Sequence, residues 1–248
     1  MPKMPDGLIL CGGAGLRLRG VIGDSAKGMA SIAGRPFLEL LLRQLHRHGF
    51  EKVILAVGYQ KDSIRKHFGD RAYELDLMYS EETVPLGTGG ALRNAAQLIA
   101  SDSVLVMNGD SYADVDLTAF AESYRDVGCD ASMVVITPDG RSDCGFVLLR
   151  PDGEVKSFNE KEAPHDEAYV NAGIYLVSKS MLQEIPRGRE ISLEKTTFPH
   201  WLHEGRHIRA FIHSGRCIDI GTPERYHNAQ GALAGFETDM CIQGEGQR

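Results

Sequence analysis

The stretch LILCGGAGLRLRG at residues 8–20 decides the fold, because an apolar run ends in paired glycines and two arginines follow within eight residues. Glycines at a strand end uncover consecutive backbone N–H groups, which form half of an anion site, and nearby cations can supply the other half. The stretch therefore predicts a strand followed by a polyphosphate-binding turn, although a lone glycine cluster is also typical of a plain tight turn. The residues concerned are Gly12, Gly13, Gly15, Arg17, Arg19 and Lys27.

Outward from this turn, short apolar runs alternate with segments of helical periodicity. Nearly all-apolar runs such as VLVM at 104–107 are typical of strands that are covered on both faces. We predict an α/β protein with a parallel, helix-flanked sheet. The predicted strands are 7–11, 52–58, 76–80 and 103–110, and the predicted helices are 37–49, 61–69 and 88–100.

The pattern changes after residue 130, where four apolar runs are separated by turn signals such as PDG. We interpret these runs, at 131–137, 145–150, 154–160 and 169–178, as successive hairpins. A helix over 192–205 that is broken or kinked near Pro199, a strand over 208–214 and a last helix complete one domain, which we place at 1–234. Residues 235–248 have no periodicity and are predicted to be a frayed tail.

Composition narrows the classes of function. The formal charge of −7 over 248 residues argues against binding to nucleic acid or to an anionic membrane, because such partners need a basic surface. Five scattered cysteines form no CxxC pair, and no apolar run reaches the length of a membrane span. We therefore expect a cytoplasmic protein with no disulfide framework and no zinc site.

Two carboxylates follow apolar stretches and are candidates for one metal site. Asp110 ends the run VLVMNGD at the carboxyl edge of the predicted sheet, where ligands of open α/β folds collect. Asp219 ends CIDIGTPE, in which Gly221 and Pro223 stop the strand and start a helix. Two carboxylates and the phosphates of a substrate suit Mg²⁺. The plainer interpretation is that Asp110 caps a turn and Asp219 caps a helix.

The order of the motifs resembles that of a known family. LILCGGAGLRLRG, SAKGMASIAGRPFLE, PLGTGGAL, NGD, FNEK, NAGIY and IDIGTPERY follow one another as they do in the sugar-1-phosphate nucleotidyltransferases, from about residue 7 to about residue 231. The sequence is most similar to the bacterial D-glycero-D-manno-heptose 1-phosphate guanylyltransferases, and the muramate- and mannose-phosphate nucleotidyltransferases come next. The resemblance implies a Rossmann-like nucleotide-diphospho-sugar transferase fold, with a mixed, mostly parallel central sheet.

The resemblance also implies a reaction. A sugar-1-phosphate oxygen attacks the α-phosphorus of a nucleoside triphosphate, with GTP favoured, and yields a nucleotide-sugar and pyrophosphate. Mg²⁺ is the implied cofactor, no covalent enzyme intermediate forms, and the expected product is a GDP-heptose. Catalysis then consists of holding two anions in line and neutralising the developing charge.

Individual positions take their roles from the same resemblance. Arg17 grips the departing pyrophosphate, Lys27 stabilises the α-phosphate region, and Asp110 joins Asp219 in holding Mg²⁺. The nucleotide side comprises Leu10, Gly12, Gly13, Gly15, Gly87, Thr88 and Asn108, with the base contacted by the backbone and hydroxyl of the segment LGTGG. The sugar side comprises Gly145, Glu160, Lys161 and Asn171.

Two positions depart from the family pattern. Leu16 stands where the family usually has Thr, which removes a hydroxyl donor from the phosphate loop. Ala26 stands where Pro usually precedes the lysine, which removes a restraint on the backbone φ angle. Neither departure deletes a charged group.

Other functions stay open on the sequence. The chain could transfer a uridylyl or other nucleotidyl group to a different sugar-1-phosphate, or bind a nucleotide-sugar without catalysis. A glycosyltransferase of similar topology is a further alternative, for which Asp114 and Asp116 have the spacing of a DxD metal motif. The oligomeric state is not readable.

Overall fold

The computed structural model of the protein describes residues 3–13, 15–138, 144–159 and 168–233, and within them the chain forms an α/β fold. The strands are β1 Asp6–Leu10, β2 Ser31–Ile32, β3 Arg35–Pro36, β4 Lys52–Val57, β5 Arg71–Ala72, β6 Leu75–Glu81, β7 Ser103–Asn108, β8 Ser111–Ala113, β9 Ala131–Ile136, β10 Phe146–Leu149, β11 Val155–Asn159, β12 Tyr169–Ser178, β13 Ile208–His213 and β14 Cys217–Asp219. The α-helices are α1 Arg19–Ile22, α2 Phe37–Arg47, α3 Lys61–Phe68, α4 Gly87–Ala95, α5 Leu117–Val127, α6 Lys179–Glu184, α7 Phe198–His203 and α8 Pro223–Leu233. Short 3₁₀ turns lie at Leu16–Leu18, Lys27–Met29 and Ala96–Leu98, and a π-helix at Leu193–Thr197.

The main sheet has ten strands, with the parallel strands β7, β1, β4 and β6 adjacent at its centre. On one side β12 pairs antiparallel with β7, and β10 and β11 follow it; on the other side β5 closes the sheet against β6. The predicted mixed sheet with a parallel centre and flanking helices is therefore confirmed.

Both faces of the sheet are covered, which explains why its strands are apolar at nearly every position. Along β1, Ile9 belongs to one core cluster with the leucines of α2, and Leu8 belongs to a second cluster with the apolar side of α4. Trp201, on α7, is buried in the second cluster against Phe198. Trp201 is therefore a packing residue of the core.

The registers of the central strands bring three turns together. Leu10 at the end of β1 lies beside Ala56 of β4 and Asn108 of β7. The chains touch so closely there that a Cβ on Gly109 would come within 2.6 Å of the Leu10 carbonyl oxygen. Only a residue without a side chain fits at this point, so the glycine turns after β1 and β7 meet at one edge of the sheet.

A separate two-stranded sheet, β8 with β14, brings a distant part of the chain to that edge. Ser111 lies opposite Asp219 in the ladder, and the Ile220 N–H donates to the Asp110 carbonyl oxygen at 2.9 Å. Pro223 then begins α8, as the sequence predicted.

Strand pairing after residue 130 differs from the prediction. Within the described ranges, β10 and β11 form a hairpin as predicted, whereas β9 pairs antiparallel with β12 and parallel with β13, so the prediction that all four runs form hairpins is wrong. The ten-residue strand β12 pairs with β7, β9 and β10. It therefore occupies the edge of β9 and of β10 at which these two strands could have paired with each other. Turn signals mark where the chain reverses, but they do not say which strand it joins. The predicted tail at 235–248 lies outside the described residues.

The predicted helices form with small shifts at their ends. The segment predicted over 192–205 divides into the π-helix Leu193–Thr197 and α7, and Pro199 lies in the first turn of α7, where its missing N–H costs nothing. None of the helices in the described ranges combines the length and apolar character needed to cross a membrane.

Candidate active site

A cavity of about 940 Å³ opens at the carboxyl ends of β1, β4 and β7. All of the positions assigned to catalysis and to the nucleotide line this cavity, whereas the metal-ligand candidate Asp219 does not. They are Leu10, Gly12, Gly13, Gly15, Arg17, Lys27, Gly87, Thr88, Asn108 and Asp110. The fold thus collects into one cavity residues that are a hundred positions apart in the sequence.

The two arginines of the loop after β1 lie in different environments. Gly15 has a φ of 58°, and the Leu18 N–H donates to its carbonyl oxygen at 2.8 Å, which forms the short turn that carries Arg17 to the cavity. The guanidinium of Arg19 instead lies 5.1 Å from the ring centroid of Tyr59. Arg17 is therefore available to a polyphosphate, while Arg19 packs on the rim.

The two departures from the family pattern have local structural outcomes. Leu16 lines the cavity and is 69% exposed, so its side chain makes little packing contact. The loop has no hydroxyl at this position. Ala26 is fully buried with a φ of −60°, the value that proline would impose. The backbone before Lys27 therefore adopts a proline-like conformation without proline.

Lys27 and Asp110 form an ion pair inside the cavity. The ammonium Nζ contacts carboxylate Oδ2, and both side chains are largely shielded from solvent. The Lys27 ammonium can neutralise phosphate charge, and the Asp110 carboxylate can bind a metal ion. The pair can therefore handle both kinds of charge.

Asp219 reaches the same carboxylate through a hydroxyl. Ser111 Oγ lies 3.2 Å from Asp110 Oδ1 and 3.3 Å from Asp219 Oδ2. The other oxygen of Asp219, Oδ1, accepts from the Gly221 N–H at 2.8 Å and from Arg225 Nη1 at 2.9 Å. One oxygen of each carboxylate therefore faces the same small space around Ser111.

The segment LGTGG begins α4 beside the cavity. Gly87 has a φ of 68°, and a Cβ there would come within 2.5 Å of the Ile191 carbonyl oxygen, which accepts from the N–H groups of Gly89 and Gly90 at 2.8 and 3.2 Å. Thr88 Oγ1 donates to Glu194 at 2.6 Å and accepts from the Leu193 N–H at 2.8 Å. The hydroxyl is thus engaged with the protein, which favours a base contact through backbone groups.

Glu82 lines the cavity and was not found from the sequence. Its Oε2 accepts from the Leu86 N–H at 3.1 Å, and its Oε1 would lie 3.1 Å from a Cβ on Gly12, so the carboxylate sits between the two glycine segments. Burial raises the pKa of Glu82, and the bond from Leu86 opposes that rise. The signal in the sequence is weak, because Glu81 and Glu82 are adjacent acids, and the sequence does not tell the exposed Glu81 at the end of β6 from the half-buried Glu82 that follows it.

The sugar-side positions are only partly described. Gly145 and Asn171 are neighbours, because the Asn171 N–H donates to the Gly145 carbonyl oxygen at 2.9 Å, but neither lines the cavity. A Cβ on Gly173 would come within 2.7 Å of Asn108 Nδ2, which joins this part of β12 to the cavity wall. Glu160 and Lys161 lie outside the described residues, and their roles stay predictions.

The glycosyltransferase alternative loses its metal motif. Asp116 caps α5 by accepting from the N–H groups of Thr118 and Ala119, and Asp114 Oδ1 lies 2.8 Å from His213 Nε2. The two acids therefore have separate structural partners. No group of three or more metal-ligating side chains occurs in the described part of the chain, which does not bear on an ion held by two carboxylates and a substrate.

An open α/β sheet with a basic glycine turn at the carboxyl ends of its parallel strands is the arrangement of a nucleotide-binding enzyme. The chain matches the Nucleotidyl transferase family over residues 6–235, and it belongs to that family. The prediction that it is a nucleotidyltransferase is confirmed.

The chain is similar to two bacterial guanylyltransferases. It is 32% identical over 228 residues to the D-glycero-alpha-D-manno-heptose 1-phosphate guanylyltransferase of Aneurinibacillus thermoaerophilus, which covers 92% of this chain and 98% of that protein. It is 33% identical over 223 residues to the mannose-1-phosphate guanylyltransferase of Mycobacterium tuberculosis, covering 89% of this chain but 62% of that protein.

Solved structures agree on the fold. The crystal structure of HddC from Yersinia pseudotuberculosis complexed with GMP-PN matches with a TM-score of 0.81 and 32% identity, over 93% of this chain and 100% of that one. A putative glucose-1-phosphate thymidylyltransferase from Bacillus anthracis has a TM-score of 0.82 over 92% of this chain and 94% of that one; at 19% identity it supports the fold alone.

Proposed function

We propose that the protein transfers a guanylyl group from GTP to a sugar 1-phosphate and releases pyrophosphate, with D-glycero-D-manno-heptose 1-phosphate as the preferred acceptor. The observation that carries the proposal is the convergence of Arg17, Lys27 and Asp110 with the glycine turn around one cavity. The similarity to heptose and mannose guanylyltransferases over most of the chain supports both the base and the sugar class.

In this proposal the residues of the chain act by position and charge. The N–H groups of the glycine turn and Arg17 hold the outer phosphates, and Lys27 neutralises charge near the α-phosphate as the sugar phosphate attacks. Negative charge develops on the pyrophosphate as it leaves. A guanidinium beside it stabilises that charge and so lowers the barrier to departure. No side chain of the enzyme needs to form a covalent bond.

Mg²⁺ is the proposed cofactor, and the donor set fits it. Asp110 Oδ1 and Asp219 Oδ2 both face Ser111, which provides two hard oxygen ligands and leaves the remaining positions to phosphates and water. When bound, the ion would supply Lewis-acid stabilisation of phosphate charge. Arg225 keeps the second oxygen of Asp219 occupied and so orients the first.

Glu82 supports guanine as the base. Guanine carries two adjacent donors, N1–H and N2–H, on its Watson–Crick edge, whereas the other bases place an acceptor beside each donor. A carboxylate only accepts, so its two oxygens match guanine and repel the carbonyls of uracil. Glu82 lies between the two nucleotide-binding segments, where a base edge would meet it.

A pyrophosphate-release assay tests the function. We expect Mg²⁺-dependent release with GTP and heptose 1-phosphate, less with mannose 1-phosphate, and little with ATP, CTP, UTP or dTTP. Release with UTP or dTTP alone would contradict the guanylyl assignment. Tight binding of a nucleotide-sugar without release from any pair would instead identify a non-catalytic binding protein.

Asp110→Asn tests the proposed metal role. Replacing a charged ligand by a neutral amide weakens Mg²⁺ coordination, so we expect kcat to fall more than about 100-fold. The matched control is Asp114→Asn, the same change at a residue that pairs with His213 outside the cavity lining. Near-normal turnover in Asp110→Asn would remove this residue from the metal site.

A further inference from the structure

A buried row of hydrogen bonds joins the sugar side of the site to the nucleotide side. Asn171 Nδ2 donates to the Tyr175 hydroxyl at 2.7 Å, and that hydroxyl donates to Glu194 Oε1 at 3.3 Å. The other oxygen of Glu194 accepts from Thr88 Oγ1 at 2.6 Å. Asn171 and Thr88 belong to different substrates in the proposed function, so Glu194 holds one residue of each subsite.

The direction of each bond in this row is determined. Ser192 Oγ also donates to Glu194 Oε2, at 3.0 Å, so the carboxylate accepts from three hydroxyls. Because those hydroxyls use their only protons here, Tyr175 must accept from Asn171, and Thr88 must accept from the Leu193 N–H. Asn171 Oδ1 also accepts from the Gly173 N–H at 3.1 Å, which holds the amide from its other end.

The backbone is irregular at both Glu194 and Asn171. Glu194 lies in a π-helix, in which the extra residue per turn alters the direction of its side chains. The pairing of β12 with β9 shifts register between Asn171 and Tyr175, and Gly173, between them, has a φ of 73°. Two departures from regular structure thus meet at one buried carboxylate that is 8% exposed.

Ordinary packing does not require a charge here. A buried carboxylate surrounded by hydroxyls costs more to desolvate than an apolar side chain of the same volume, and neighbouring Tyr175 and Phe198 already fill the core. A carboxylate that accepts several hydrogen bonds is useful where the residues of a binding site must be held to within about 0.5 Å. The two ends of the row are where such precision matters.

We infer that Glu194 and Tyr175 are positioning residues that hold the sugar-side Asn171 and the nucleotide-side Thr88 in a common frame, so that both substrates are aligned by one buried carboxylate. This inference rests on the proposed function for the identity of the two subsites. It assigns roles to two residues that do not line the cavity. It also makes the two arms separable, because Tyr175 links Glu194 to the sugar-side Asn171, whereas Glu194 binds Thr88 directly.

Substitutions can separate the arms by their effects on KM. Tyr175→Phe keeps the ring and removes the bond to Asn171, so we expect the KM for sugar 1-phosphate to rise roughly tenfold while the KM for GTP stays within about twofold. Glu194→Gln keeps the size but turns one acceptor into a donor, so we expect both KM values to rise. Tyr124→Phe is the matched control, since it removes a half-buried phenol hydroxyl on α5, outside the cavity lining.

Binding measurements make the outcome independent of turnover. By calorimetry, Tyr175→Phe should lose about tenfold in affinity for GDP-mannose and retain its affinity for GDP. Equal effects on both ligands, or no effect on either, in a variant that melts with the control would overturn the inference and leave the proposed function standing. A wild-type protein that binds neither ligand would overturn both.

Discussion

Lys27 and Asp110 illustrate how single residues prepare the site. Each is a charged group taken partly out of water, and each is satisfied by the other until a substrate arrives. Glu82 is prepared in a different way, because it is an acid held beside backbone donors and glycines rather than beside a cation. In the proposed function, Lys27 and Asp110 handle phosphate and metal charge, and Glu82 reads the base.

Glu82→Gln should change base selection. The amide presents one donor and one acceptor, which matches uracil or thymine better than guanine. We expect the KM for GTP to rise roughly tenfold or more and the discrimination against UTP to shrink by a similar factor. Glu81→Gln, at the exposed last position of β6, is the control. Unchanged discrimination in Glu82→Gln would remove this residue from base recognition.

The pH dependence of GTP binding should reveal the same carboxyl. Burial raises the pKa of Glu82 above 4.5, and the proton-free form is the one that accepts from guanine. The KM for GTP should therefore rise on acidification, beginning at a higher pH than an ordinary glutamate would require. The folded protein binds this proton more tightly than the unfolded chain, so the residue's contribution to the free energy of unfolding falls as pH increases through the interval above 4.5. Both trends should be absent in Glu82→Gln.

At the scale of elements, α4 depends on the segment before the π-helix. The carbonyl oxygen of Ile191 accepts from two N–H groups in the first turn of α4, and the Ile191 N–H donates to the Leu86 carbonyl oxygen at 2.8 Å. The approach is possible because Gly87, at the helix start, has no Cβ. This helix, which borders the cavity, is thus positioned by a segment a hundred residues later.

Gly87→Ala should disturb this contact. A Cβ at a φ of 68° is strained, and it would come within 2.5 Å of a backbone oxygen that cannot rotate away. We expect the free energy of unfolding to fall by about 1–3 kcal/mol and the KM for GTP to rise. Gly231→Ala in α8 is the control, because its Cβ meets open space and should stabilise the helix by about 0.5–1 kcal/mol. Equal stabilities for the two variants would contradict this account.

At the scale of the whole molecule, the cavity unites segments that have little reason to meet in an unfolded chain. The glycine turn, α4 and the NGD segment border it, and β14 reaches it through the small sheet with β8. Ligands that bind such a composite site bind the folded state alone, so their binding energy adds to the free energy of unfolding.

Mg²⁺ and GTP together should therefore stabilise the protein against heat. At a GTP concentration 100 times its Kd, the free energy of unfolding should increase by about 2.7 kcal/mol, which calorimetry reads as a rise in Tm. Lys27→Ala should lose most of this rise, because it deletes a cation that faces the phosphates, whereas Lys66→Ala on α3, outside the cavity lining, should retain it. A full ligand-induced rise in Lys27→Ala would place the nucleotide elsewhere.

The amino-acid sequence was sufficient to predict the α/β class, the glycine turn after β1, and many of the residues that line the cavity. These features carry local signals, because apolar runs, glycine clusters and charges at strand ends act over a few residues. Only the folded structure shows that β12 pairs with three strands, that Arg19 packs on Tyr59, that Glu82 is half-buried in the cavity wall and that Glu194 is buried. Strand partners and the burial of an acid depend on which distant segments pack together, and an isolated glutamate in a sequence looks the same whether it ends in water or in the core.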